Sequence, residues 1–166
     1  MSRKRSLVEW LVVIAEIGGG AAGILVTGAL LLGSLLTDGG SVSPMLAAAF
    51  SGYVLVLVAG VLLLRGSRFG RGLSIAAQAI QLPILSTGPL AYRLTAGLDV
   101  GWVLAASGSD LSLYPGANFL LSTSNTRPLS IGVNLVAALL LIALCRRPQP
   151  SAGRASRPVV VAGVVG

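Results

Sequence analysis

Leu7–Leu36 reads LVEWLVVIAEIGGGAAGILVTGALLLGSLL, an apolar run of 30 residues. At ~1.5 Å per residue a helix of that length exceeds the ~30 Å hydrocarbon core of a bilayer. It must therefore tilt, protrude, or begin as an interfacial turn around Glu9 and Trp10. The basic start MSRKR imitates a signal peptide, but a signal core is about 7–15 residues. The expected element is a retained first transmembrane helix over about 6–36. Gly19 and Gly23 form a GxxxG pair, extended by Ala15 and Thr27 at the same spacing. Small residues so spaced let a neighbour approach the helix backbone closely, and packing within the chain is favoured over dimerisation. One carboxylate, Glu16, lies well inside the run.

Outward from this stretch the same pattern recurs. Thr37–Ser43, TDGGSVS, is a polar turn, and Ser43 before Pro44 is a helix start, a capping hydroxyl followed by proline in the first turn. A second helix is expected over 44–64, then a basic loop, RGSRFGRG, over 65–72. A third helix is expected over about 73–92. Ser74, Gln78 and Gln81 follow helical spacing and share a face. Pro83 should kink this helix, and Ser86-Thr87-Gly88-Pro89 should break it again. The segment 93–128 lacks a spanning run but is too apolar for a linker. Strands are expected around 100–106 and 118–122, with a turn at Tyr114-Pro115-Gly116-Ala117, as a β-hairpin or small sheet capping the outer face; a re-entrant segment is the alternative. A fourth helix is expected over about 129–145. The tail 148–166, rich in Pro, Ser and Arg, reads as disordered.

The chain has 166 residues, 54% hydrophobic and 10% charged, with a net charge of +7. A soluble domain usually carries roughly a quarter charged residues, so the composition agrees with the apolar runs. Ten of the twelve Lys and Arg residues lie in the N-terminus, the loop at 65–71 and the C-terminal end. Arg93 and Arg127 fall on the other side, with Asp38, Asp99 and Asp110. The positive-inside bias then predicts an all-α integral membrane protein: a four-transmembrane-helix bundle over 1–147, both termini cytoplasmic, in a plasma (bacterial inner) membrane. The basic residues mark the ends of apolar runs and form no stripe, so nucleic acid is not an expected partner. The bilayer is the expected partner, with a homo-oligomer or a membrane-protein partner left open.

There is no histidine and one cysteine, Cys145. That excludes a disulfide within the chain, a His/Cys metal cluster and a Ser-His or Cys-His catalytic pair. No cofactor, no metal and no enzymatic activity are expected. Counted from the cytoplasmic ends at ~1.5 Å per residue, Glu16, Gln81, Asn134 and Tyr53 lie roughly 13–18 Å deep. An ionised carboxylate there costs ~2.5–3.5 kcal/mol or more without a partner. The expected site is a polar cluster of Glu16, Gln78, Gln81, Asn134 and Tyr53, with Glu16, Gln81 and Asn134 tying helices 1, 3 and 4 together. Its structural role would be interhelical bonding; its functional role would be proton or cation handling.

Ile14-Ala15-Glu16-Ile17-Gly18 resembles the first helix of the small multidrug resistance transporters, which carry an essential glutamate in an Ala-Glu context. The resemblance covers about ten residues and would make Glu16 a proton and cation site. The rest departs from that family in its length, its inside-positive bias and its long segment before helix 4. Two functions are expected: a non-enzymatic accessory, assembly or scaffold component, or a small proton- or cation-coupled transporter or channel using Glu16.

Overall fold

The computed structural model describes residues 7–37, 42–123 and 128–146. The disordered-tail expectation for 148–166, and the expectations that place Arg127 and Asp38, lie outside the described residues. The order of elements is α1 (Leu7–Thr37), α2 (Pro44–Leu64), α3 (Arg68–Gln81), β1 (Pro83–Ser86), β2 (Ala91–Ala105), β3 (Gly108–Ser122), β4 (Ser130–Asn134) and α4 (Leu135–Arg146). The all-α four-span bundle is thereby overturned. Of the four helices among the described residues, α1 and α2 are long and apolar enough to cross a membrane. The other two have 14 and 12 residues, and an antiparallel four-stranded sheet takes up the rest.

The corrections have local causes. Ser43 and Pro44 do start α2, with Pro44 in the first turn, although the Ser43 hydroxyl makes no capping bond. Past Arg65, Gly66 takes φ +72° and the chain reverses at once. The third helix starts at Arg68 rather than Leu73, because Gly70 lets its first turn lie against the backbone of Leu62 and Leu63. Arg71 donates to the Leu144 carbonyl at the end of α4, supplying one of the donors that a helix C-terminus lacks. The helix ends at Gln81 rather than Tyr92. Pro83 has no N–H to donate, and Leu82 closes the last turn on Ala79 O. From Pro83 the chain runs on as a strand, not as a kinked helix. Thr87 and Leu90 exchange backbone bonds of 2.6 and 3.1 Å, so the expected second helix break is the hairpin turn between β1 and β2. Likewise, 130–134 forms β4 and shortens the fourth helix from the expected 129–145.

The β2–β3 hairpin is continuous from Ala91↔Ser122 to Ala105↔Gly108. Its turn is Ala106-Ser107, with Gly108 at φ +129°, and Tyr114–Ala117 lies within β3 instead of forming a turn. Midway, Gly97 stands opposite Gly116, at φ +102° and +112°. Both strands bend there. β1 pairs antiparallel with β2 at Arg93–Ala91, and with β4. β4 pairs antiparallel with the far end of β2, at Gly101–Ala105. The two halves of β2 therefore run in opposite directions, and the sheet closes through β1 and β4.

This folded sheet does not sit as a cap beyond the helices; it packs on their middles. Gly19 of α1 meets the backbone of Ala96 and Gly97, where a Cβ would overlap it, and Gly97 in turn lies on Ala15. Leu94 reaches Gly52 of α2. The core joins Tyr53, Val56 and Ala59 of α2 to Ala77 of α3 and to Leu94 and Ala96 of β2. α1 and α2 pack closely where Gly20 meets Leu57, Gly60 meets Glu16 and Ile17, and Gly23 receives the Tyr53 ring. The small-residue ridge thus serves two partners: Gly19 takes a strand and Gly23 an aromatic ring of the neighbouring helix.

Candidate functional site

Glu16 is fully buried. It lies where α1 crosses α2 at Gly60, and faces α3. Ser74 Oγ donates to its Oε2 at 2.7 Å and Gln78 Nε2 donates to Oε1 at 3.2 Å. The two donors are four residues apart on α3, one above the other on the same helix face. Each carboxyl oxygen has a donor, and Ser74 is itself fully buried. Chemically this is a carboxyl group held in place by hydroxyl and amide donors, binding α1 to α3.

The other residues expected beside Glu16 are buried but bonded elsewhere. Gln81 donates to Ala77 O at 3.0 Å, and its Oε1 accepts from Ala96 N at 2.8 Å. It thereby serves a β2 amide in the stretch between the β1 and β4 ladders. Asn134 accepts from the Val136 and Ala137 amides at 3.1 and 3.2 Å, so it is the N-cap of α4. Its backbone N–H donates to Leu82 O at 2.9 Å. Tyr53 is held by packing against Gly23 and the core. The structure therefore brings Glu16 together with Gln78 and with Ser74, which shares the Gln78 face, while Gln81 and Asn134 each close a joint between helix and sheet.

A second polar cluster lies inside the fold of the sheet, where sequence reasoning placed none. Arg93 Nε and Nη2 both reach Asp99 Oδ2, at 2.8 and 2.7 Å. Thr95 Oγ1 donates to the same oxygen at 2.8 Å. Arg93 also donates to Ser112 Oγ at 3.2 Å, and its guanidinium lies 4.7 Å from the centre of the Tyr114 ring, a cation–π distance. Asp99 is fully buried, and its Oδ1 has no hydrogen-bond partner among the described residues. In a straight strand, residues six apart are about 20 Å apart. Only the bend at Gly97 lets Arg93 and Asp99 meet. Their equal parity, shared with Thr95, was the one signal in the sequence.

Comparison with protein-family models, with curated proteins and with solved structures finds no match for this chain.

Proposed function

We propose that the protein is a multi-pass integral membrane protein of a plasma (bacterial inner) membrane, with both termini cytoplasmic, acting as a non-enzymatic accessory, assembly or scaffold component. The membrane reading is supported by the length and apolar character of α1 and α2. Arg65, Arg68 and Arg71 follow the end of α2, and the positive-inside rule assigns that end to the cytoplasm. The observation that carries the non-catalytic, non-transporting reading is the state of Glu16. An acid within a spanning helix is a functional candidate by default. Here both of its oxygens are engaged by donors of α3, and no part of it reaches the surface. Its work is to hold α1 against α3.

The test is reconstitution of the purified protein in sealed vesicles, with proton and monovalent-cation flux recorded for the wild type and E16Q. Flux at the level of empty vesicles for both proteins is expected, and chemical cross-linking in native membranes should recover one membrane protein in constant ratio. A wild-type flux that E16Q abolishes would replace this reading with proton- or cation-coupled transport through Glu16.

A further inference from the structure

The sheet is patterned inside out. Arg93, Thr95, Asp99 and Ser112 lie on the face enclosed by the bend, while Ser109 and Asp110 are exposed beside the hairpin tip. The opposite face of the outer half carries Leu98, Trp102, Leu104, Leu111, Leu113 and Ile131, every one at least 44% exposed. These form one patch. Trp102 stands opposite Leu111 on one side and Val133 on the other, and Leu104 opposite Ile131; directly opposed residues share a face. A half-solvated sheet in water turns its apolar side inward. Apolar side chains outward with polar ones inward is the pattern of strands that face lipid.

The level of the sheet agrees. It meets α1 at Ala15 and Gly19, and α2 at Gly52, in the middle of both long helices. The short helices also point to it. α3 alone rises about 21 Å and α4 about 18 Å, less than the ~30 Å core. β1 follows α3 after one residue, and β4 runs directly into α4. Helix and strand together extend about 34 Å in each case.

We propose that the apolar outer face of the sheet, centred on Trp102, lies among the acyl chains of the bilayer, so that α3 with β1 and β4 with α4 cross it as composite spans, part helix and part strand. This rests on the membrane reading of α1 and α2. The occupant is lipid because the strand that carries the patch leaves α1 at the Gly97–Ala15 contact, and because Arg93 and Asp99 are turned away from the patch, with Asp110 at the hairpin tip on their side of the strand. β3 pairs on one side only. A bare strand edge is costly in hydrocarbon, so a second copy added along β3 is the competing occupant.

The chain has two tryptophans, Trp10 and Trp102. W10F leaves Trp102 as the sole tryptophan, and W102F leaves Trp10. Each variant is placed in phosphatidylcholine–phosphatidylglycerol vesicles and challenged with lipids brominated on the acyl chains, and separately with aqueous iodide. The expected result is that Trp102 loses most of its emission to the brominated chains and little to iodide. Quenching by iodide alone would place the face in water and overturn the proposal. Shielding from both quenchers would mean that protein covers it, and would equally overturn it. Trp10 separates the two levels of failure. If Trp10 is quenched by the brominated lipid and Trp102 is not, the sheet assignment fails and the membrane reading stands; if neither is quenched, the membrane reading itself fails. Should W10F not fold, a bimane label on L113C in a C145S background reads the same face by the same criteria.

Discussion

Arg93 and Asp99 illustrate how a single contact can depend on a distant cause. The pair is closed off by the bend of its own strand, with Thr95 and Ser112 as further partners. Removing one member of a buried ion pair leaves the other charge uncompensated and costs roughly 3–5 kcal/mol, while replacing both by apolar residues of similar volume is often neutral. The D99L variant should therefore lose about 3–5 kcal/mol of stability, and R93M/D99L should recover most of it. Unfolding in mixed detergent micelles, followed by circular dichroism, measures both; a double variant no more stable than D99L would show that the pair does not act as a unit. Glu16 differs. Its partners are neutral donors on another helix, and such interhelical bonds are worth typically ~0.6 kcal/mol each. Helical spacing already put Ser74 and Gln78 on one face of α3, so this pairing was within reach of sequence reasoning. The Arg93–Asp99 pair was not, because five residues of strand separate them until Gly97 folds the chain back.

At the scale of elements, the packing of α1 is graded by what each glycine faces. Gly18 has open space around its Cβ position, whereas a Cβ on Gly19 would overlap the backbone of Ala96 and Gly97. Gly18→Ala should be neutral or stabilise by up to about 1 kcal/mol, the helix propensity difference. Gly19→Ala should destabilise by about 1–3 kcal/mol or more, the range for overpacking, because the obstructing atoms are backbone and cannot rotate away. The same unfolding measurement compares the two; equal effects would contradict the strand-on-helix contact. Gly97 combines both constraints, a positive φ and a neighbour, Ala15 O, that an added Cβ would meet at 3.2 Å. The ridge Ala15–Gly19–Gly23–Thr27 announced a close neighbour in the sequence. It did not say whether that neighbour was helix or strand, since a helix surface and an extended backbone both require only the absence of side chains.

For the whole molecule, the arrangement of charge and apolar surface predicts sidedness. The native Cys145 is exposed near the end of α4, beside Arg146, on the side where the basic residues gather. A membrane-impermeant maleimide should label it in inverted vesicles and leave it unmodified in intact cells; the reverse pattern would turn the proposed topology over. The sequence by itself determined α1 and α2, because an unbroken apolar run leaves a chain little choice but a helix whose backbone bonds are satisfied locally. It also put Ser74, Gln78 and Gln81 on one face, and it pointed to strand before α4 while leaving a re-entrant segment open. Only the tertiary structure decided where α3 stops, how far β2 and β3 run, and that the sheet lies against the middles of the helices. The physical reason is the range of the interactions. Helix bonds join residues four apart and leave a periodic trace, while Ser130–Asn134 is completed by ladders to Pro83–Ser86 and to Gly101–Ala105. Those partners carry no mark of one another until the bend at Gly97 and Gly116 brings them together.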